Sequence, residues 1–251
     1  MTTVYTNGEA DIAEKVSLLL ITVAISQEGE KERGWYKMKQ NQSSTQLHRE
    51  KTKKLVTIPM LAAVGFLLYY LEFNVPGFPS FLKLDFSTVP AVIGGLVFGP
   101  AAGILIEVLK NGLHLLLKNT DGFIIGEIAN TLAGGCFVFL AVYTQRLFKS
   151  KKGFMLGLAG GTLVMTVVMA LANYILLLPG YAMLYSISMD ELLAMFNMKS
   201  VWSLIMIGIV PFNLVKGFLL AMITYPVFIK LSPRLGLVNS SAMLNNKTVT
   251  S

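Results

Sequence analysis

Long apolar runs fill most of the chain between residues 55 and 231, and isolated polar side chains interrupt them. A helix needs about 20 apolar residues to cross the roughly 30 Å hydrocarbon core of a bilayer. A charged side chain at the bilayer centre costs roughly 2.5–3.5 kcal/mol, so such residues usually face the interior of a bundle. The chain is therefore predicted to be an all-α integral membrane protein whose interior holds Glu107, Lys110, Asn111, Glu127, Asn130, Asn173, Asn213 and Lys216.

Composition supports a membrane protein and argues against other classes. Hydrophobic residues make up 54% of the chain and charged residues 14%. The net charge of +7 does not indicate a nucleic-acid partner, because lysine and arginine cluster in short segments beside the apolar runs. That distribution sets the orientation of membrane proteins. The single cysteine, Cys136, predicts neither a disulfide nor a cysteine-based metal site.

The apolar runs predict a six-helix transmembrane bundle. The stretch 88–117 is too long for one helix and contains Phe98, Gly99 and Pro100, which predicts a short helix, a break and a further helix from residue 101. Pro211 favours a first helical turn, so the last span is predicted at 211–231, with 201–210 as a re-entrant or interfacial piece. The other spans are predicted at 55–71, 123–147 and 154–178.

Basic residues predict the orientation of the bundle. Ten lysines and arginines lie before the first span, between the fourth and fifth, and after the sixth, against three in the opposite loops. The positive-inside rule then makes both termini cytoplasmic. Residues 1–54 and 236–251 are polar and are predicted to be disordered segments flanking a membrane domain at 55–235. Translation from Met38 is an alternative start for the first segment.

Polar residues of separate spans are predicted to meet below the external surface. At about 1.5 Å per residue, Asn173, Asn213 and Lys216 all fall in the outer half of the membrane. Asn213 and Lys216 share a helix face without an acidic residue, which favours a ligand role. Glu107 and Lys110 can neutralise each other, which favours a structural ion pair instead. Asparagine amides near aromatic side chains suit a planar, neutral heteroaromatic ligand.

Motifs for enzymatic chemistry are absent from the sequence. It contains no G-x-x-x-x-G-K-[ST] phosphate loop, no H-E-x-x-H zinc motif and no G-x-S-x-G nucleophile motif. The chain is therefore predicted not to be an enzyme, to use no ATP by itself and to carry no cofactor or metal.

Several segments together resemble the riboflavin-binding S component of energy-coupling factor (ECF) transporters. The resemblance begins with Phe81-Leu-Lys-Leu-Asp-Phe-Ser-Thr-Val-Pro90 and Phe98-Gly-Pro-Ala-Ala-Gly103. It continues through Glu127-Ile-Ala-Asn-Thr-Leu-Ala-Gly134, Ala172-Asn-Tyr174 and Pro211-Phe-Asn-Leu-Val-Lys-Gly217. It extends over about residues 53–235, the whole membrane part.

The resemblance implies a multi-pass cell-membrane protein that captures riboflavin from outside the cell. It implies six helices with both termini cytoplasmic, and a pocket capped by the first and fifth external loops. Uptake in this family requires a transmembrane coupling protein and two ATP-binding subunits as partners. The flavin-contacting positions implied are Leu84, Asp85, Phe86, Asn173, Asn213 and Lys216, with the asparagines and the lysine forming hydrogen bonds and the loop residues providing backbone contacts and packing.

Three alternatives remain open from the sequence. The first is an S component for another vitamin, because one scaffold can carry different pockets. The second is a stand-alone proton-coupled carrier that uses Glu107 or Glu127. The third is a membrane scaffold without a ligand.

Overall fold

The computed structural model describes residues 48–118, 124–235 and Leu237, together with residues 28, 30, 31, 33, 35, 38, 39 and 46. The predicted disorder of the two terminal segments and the alternative start therefore lie largely outside the described residues. The chain divides into two units, Met1–Lys54 and Leu55–Ser251, and the residues that build the site belong to the second.

The described structure is mainly helical. Helix α1 (His48–Tyr70) leads into an antiparallel hairpin of β1 (Phe73–Asn74) and β2 (Lys83–Leu84), in which Phe73 pairs with Leu84 and Asn74 with Lys83. The remaining helices are α2 (Thr88–Phe98), α3 (Pro100–Leu117), α4 (Ile125–Phe148), α5 (Lys151–Ala172), α6 (Leu178–Tyr185), α7 (Met189–Met195), α8 (Val201–Ser203) and α9 (Val210–Leu235). Two π-helical segments connect them, Asn173–Leu177 between α5 and α6, and Leu204–Ile209 between α8 and α9.

Five helices among the described residues are long and apolar enough to cross a membrane. They are His48–Tyr70, Pro100–Leu117, Ile125–Phe148, Lys151–Tyr185 and Val201–Pro233. Helix α2 is apolar but has 11 residues, about 16 Å at the helical rise, which is half of a hydrocarbon core. The structure thus supports a multi-span helical membrane protein, and the predicted count of six spans depends on a helix too short to cross alone.

The break between α2 and α3 is confirmed at Gly99. This residue has φ of 113°, a conformation that side-chain-bearing residues rarely adopt, and its N–H donates to the carbonyl of Gly95. Pro100 follows as the first residue of α3, where its missing N–H leaves no helical hydrogen bond unmade.

The prediction for residues 201–210 is wrong. They form one continuous helix with α9, from Val201 to Pro233, rather than a separate re-entrant piece. Pro211 cannot donate to a carbonyl one turn earlier, but the π-helical segment Leu204–Ile209 lies just before it and changes the hydrogen-bond register there. The helix therefore continues through the proline. The fifth span likewise continues past Pro179 to Tyr185.

Close packing between α4 and α5 forms the centre of the bundle. Gly161 of α5 lies against the backbone of Phe137 on α4, so the two helices approach closely. Phe154 of α5 stacks on Phe228 of α9, with ring centroids 4.0 Å apart. A second apolar cluster, which includes Leu84, Ile205 and Phe212, joins the hairpin to the last helix.

Gly103 on α3 tests the tightness of this packing. A Cβ atom there would lie 2.9 Å from the backbone oxygen of Ala91 on α2, and a backbone atom cannot swing aside. We expect Gly103→Ala to lower the free energy of unfolding by about 1–3 kcal/mol, as overpacking does. Thermal unfolding in detergent measures the loss. Gly112→Ala on the same helix is the matched control, because nothing lies within 4 Å of its Cβ position; equal melting of both variants would contradict the expectation.

Candidate ligand-binding site

A cavity of about 340 Å³ lies at the end of the bundle where α1 and α3 end and α4 begins. Pockets for small molecules typically have volumes of about 300–1,000 Å³. The hairpin segment contributes Ser80, Phe81, Leu82, Lys83 and Asp85 to the wall, and helices contribute most of the rest. The cavity therefore has the size of a small-molecule site with one wall made by a loop.

Four of the six predicted site residues line this cavity together. Asp85, Asn173, Asn213 and Lys216 come from a loop, the first π-helical segment and α9, and each is at most 5% exposed. The bundle thus brings together polar residues that are up to 131 positions apart in the sequence. Their convergence makes this cavity the candidate site.

Leu84 and Phe86 do not line the cavity. Leu84 packs in the apolar cluster that joins the hairpin to α9, and Phe86 packs against both apolar clusters and against Phe73. From Lys83 to Phe86 the side chains alternate between two faces, as they do in extended chain. Lys83 and Asp85 line the cavity, whereas Leu84 and Phe86 pack in the apolar clusters.

The two asparagines present their amides in the same orientation. Asn173 Nδ2 donates to the Met169 carbonyl and Asn213 Nδ2 to the Ile209 carbonyl, each at 2.8 Å. A carbonyl only accepts hydrogen bonds, so the amide nitrogen must face it and the amide oxygen must point away. Neither Oδ1 receives a hydrogen bond within the described part of the chain. The site therefore offers two neutral acceptors, one from each helix.

Lys216 is held by two acceptors and is not an unpaired charge. Its Nζ donates to Asp85 Oδ2 and to Asn130 Oδ1, both at 2.9 Å. Lys216 has no acidic residue on its own helix, but Asp85 of the loop before α2 provides a carboxylate partner. The absence of an acid on the same helix therefore did not indicate an unpaired lysine. An ammonium has three N–H groups, and the third finds no acceptor among the residues that the structure describes. That N–H is available to a ligand.

Asp85 is ionised in this arrangement. Burial alone would raise its pKa, but the charges of Lys216 and Lys110 and the hydrogen bonds from Ser87 outweigh burial and hold the pKa below its ordinary value. Ser87 donates to Asp85 Oδ1 through its backbone N–H, at 2.9 Å, and through its hydroxyl. The carboxylate is thus divided, with Oδ1 bound to Ser87 and Oδ2 bound to Lys216.

Glu107 and Lys110 form the predicted ion pair, with Lys110 Nζ 3.0 Å from Glu107 Oε2 and both side chains fully buried. Neither residue lines the cavity. Lys110 also donates to the hydroxyls of Ser87 and Thr88. Glu107 and Lys110, together with Asp85 and Lys216, make a buried cluster of two acidic and two basic side chains with zero formal charge.

A second group of polar side chains at the cavity combines Glu127 with His114, Glu72 and Lys118. His114 Nδ1 lies 2.9 Å from Glu127 Oε1, and its ring stacks on Tyr69 at 3.8 Å. Glu72, just after α1, accepts from Lys83 at 3.2 Å and from Lys118 at 3.5 Å. Glu72 follows the end of the first apolar run, so its sequence position looked like an ordinary surface loop.

Apolar and aromatic side chains complete the wall. Phe81, Tyr181 and Phe212 line the cavity with Met169 and Leu177. Flat rings and flexible thioethers give contact area to a planar ligand. Among the described residues no group of three or more histidine, cysteine or acidic side chains is placed to hold a metal ion. The site is thus suited to binding an organic molecule.

Charge balance predicts the effect of removing Asp85. Asp85→Asn would leave Lys216 and Lys110 with one carboxylate between them, and breaking a buried pair costs about 3–5 kcal/mol. We expect a large fall in the unfolding midpoint without ligand, and recovery of most of it in Asp85→Asn/Lys216→Met, which restores neutrality. Exposed Asp190 provides the control, since Asp190→Asn should change stability by no more than about 0.5 kcal/mol. An Asp85→Asn protein as stable as the control would refute the charge argument.

Known proteins share this fold and much of this sequence. The chain is 37% identical over 185 residues to "Riboflavin transporter FmnP" of Bacillus subtilis (strain 168), covering 73% of this chain and 94% of that protein. It is 37% identical over 189 residues to "Riboflavin transporter RibU" of Staphylococcus aureus (strain TCH60), covering 75% of this chain and 93% of that one.

A solved structure described as "Structure and mechanism of the S component of a bacterial ECF transporter" superposes with a TM-score of 0.62. The two chains are 34% identical, and the match covers 74% of this chain and 98% of the other. The sequence model for "ECF transporter, substrate-specific component" matches residues 53–228. This chain belongs to the family of ECF transporter substrate-specific components, which are multi-pass membrane proteins.

Proposed function

We propose that this chain captures riboflavin for ATP-driven uptake, as the substrate-binding subunit of an ECF transporter. The convergence of Asn173, Asn213 and Lys216 on one cavity is the observation that carries the proposal. The names of the similar proteins identify riboflavin as the candidate substrate. The protein is a binding subunit and not an enzyme.

The chemistry of riboflavin complements the groups on the cavity wall. Its isoalloxazine ring is planar and neutral, carries an imide N–H and two carbonyls, and is attached to a chain of hydroxyls. The oxygens of Asn173 and Asn213 accept from the imide N–H or from hydroxyls, and the third N–H of Lys216 donates to an oxygen of the ligand. Phe81, Tyr181 and Phe212 provide contact area for the ring. Asp85 holds Lys216 in place, and Leu84 and Phe86 support the loop.

Direction and partners of the proposed uptake follow from the family and from the charges. Basic residues at the α4–α5 connection favour a cytoplasmic location for that end of the bundle, and the cavity at the opposite end then opens outward. Both termini and the connections between even and odd spans are then cytoplasmic in a six-helix arrangement. A transmembrane coupling protein and two ATP-binding subunits provide the energy, because this chain has no phosphate-binding loop.

Two alternative transport functions are less well supported. A proton-coupled carrier needs a carboxyl group able to change its charge, but Glu107 is paired with Lys110 and does not line the cavity. Glu127 does line it and is paired with His114. Riboflavin uptake by proteoliposomes that contain this chain alone, driven by a proton gradient, would favour the carrier. Tighter binding of thiamine or biotin than of riboflavin would favour an S component for another vitamin.

Lys216 is the most direct test of the proposed substrate. In Lys216→Ala the ligand loses a hydrogen bond from a charged group, which is worth about 1.5–3 kcal/mol. We expect riboflavin affinity to fall by that amount, measured by quenching of flavin fluorescence during titration of detergent-purified protein. Only the monodisperse fraction is titrated, because loss of the Asp85 partner also lowers stability.

Lys199→Ala is the matched control, since Lys199 is an exposed lysine outside the cavity. It should bind riboflavin as the unmodified protein does. Unchanged affinity in Lys216→Ala would show that the cavity is not the flavin site. Absence of any change in melting temperature of the unmodified protein in saturating riboflavin would instead favour a scaffold without a ligand.

A further inference from the structure

Two paths of polar contacts leave Lys216, and both end at Glu107 on α3. The first runs through Asn130, whose Nδ2 donates to Asn111 Oδ1 at 3.2 Å, and Asn111 in turn donates to the Glu107 carbonyl at 2.9 Å. The second path runs by hydrogen bonds through Asp85 and Ser87 to Lys110, which forms an ion pair with the Glu107 carboxylate. The first path thus ends at the backbone of Glu107 and the second at its side chain, although Glu107 does not line the cavity.

The hydrogen bonds of the second path, from Lys110 to Lys216, have consistent donors and acceptors. The Ser87 hydroxyl accepts from Lys110 and donates its own proton to Asp85 Oδ1. A hydroxyl can do both at once. Asp85 then accepts from Lys216 on its other oxygen. All of these side chains are nearly inaccessible, with Ser87, Glu107 and Lys110 at 0% exposure.

Lys110 does not line the cavity. Its Nζ donates to the hydroxyls of Ser87 and Thr88 and forms an ion pair with Glu107 Oε2, 3.0 Å away. Lys216 differs, because two oxygens from the described residues hold it and it lines the cavity. One lysine therefore has a purely internal role, and the other is exposed to whatever occupies the site.

We propose that Ser87, Lys110 and Glu107 form a positioning relay that divides the Asp85 carboxylate and so keeps the third N–H of Lys216 directed at the ligand. The relay touches no ligand and acts only through Asp85 and Lys216. It rests on the proposed function, since riboflavin is the ligand whose affinity reports on Lys216.

The relay acts because Ser87 and Lys216 compete for the oxygens of the Asp85 carboxylate. With Ser87 bound to Oδ1, Asp85 has only Oδ2 for Lys216. Without the Ser87 hydroxyl, Oδ1 keeps one backbone N–H and regains acceptor capacity beside a buried ammonium. Lys216 then turns toward both oxygens and away from the ligand, because charge-assisted bonds are the strongest available in a buried site.

Ser87→Ala tests the relay, because it removes one hydroxyl and changes no charge. Riboflavin affinity should weaken about tenfold, the effect of about 1.4 kcal/mol. Ser232→Ala is the matched control, since Ser232 is a serine buried to the same degree on α9 and outside the relay. It should bind riboflavin with unchanged affinity.

A double-mutant cycle separates positioning from a merely structural role. If Ser87 acts through Lys216, then Ser87→Ala should have little further effect on affinity in a Lys216→Ala background. A tenfold loss that persists in that background would overturn the relay, as would unchanged affinity in Ser87→Ala alone. Failure of the unmodified protein to bind riboflavin is a separate result, which would overturn the proposed function itself.

A second variant covers the case in which Ser87→Ala does not fold. Glu107→Gln/Lys110→Met removes the far end of the relay and keeps the cluster neutral, and because both charges of the buried pair are removed, no charge is left unpaired. It should also weaken riboflavin binding about tenfold, and this loss should likewise disappear in the Lys216→Ala background. Unchanged affinity in the double variant would overturn the relay.

Discussion

The site depends on neutralising charge where water is excluded. Lys216 and Asp85 are each at most 5% exposed, and burying either charge without a partner would be costly. They come from α9 and from the loop before α2, so their pairing ties the hairpin segment to the last helix. The need of buried Lys216 for a carboxylate partner thereby determines the position of the loop that carries Asp85. The apolar contacts of Leu84 with the same helix region reinforce that position.

This arrangement leaves the cavity largely preformed. Lys216 is fixed by two acceptors and the asparagine amides by carbonyls of their own helices, so the groups that face the ligand have little freedom to lose. Ordering a flexible side chain on binding costs about 0.5–1.5 kcal/mol. A preformed site avoids this cost at the moment of binding, because folding has already ordered these groups.

The sequence predicted the helices better than the contacts between them. Apolar runs are local signals, so most of the spans, the break at Gly99 and the Glu107–Lys110 pair could be derived from spacing. The partner of Lys216 could not, because Asp85 is 131 residues away and only the folded bundle brings the two together. The continuous helix at Val201–Pro233 was missed for a related reason. Pro211 indicates a helix start, and the neighbouring residues give no sequence signal for the π-helical segment that lets the helix continue through the proline.

The choice of asparagine for the acceptors follows from the same electrostatics. Among the described residues, three lysines and three carboxylates line the cavity, and their formal charges sum to zero: Lys83, Lys118, Lys216, Glu72, Asp85 and Glu127. A carboxylate at position 173 or 213 would need another buried cation, whereas an amide oxygen adds an acceptor without charge. Asn173 is the first residue of one π-helical segment, and Asn213 lies shortly after the other. π-helical turns are frequent at functional sites. A neutral wall with uncharged acceptors matches a neutral ligand, because an added phosphate would bring unbalanced negative charge next to Asp85 and Glu127.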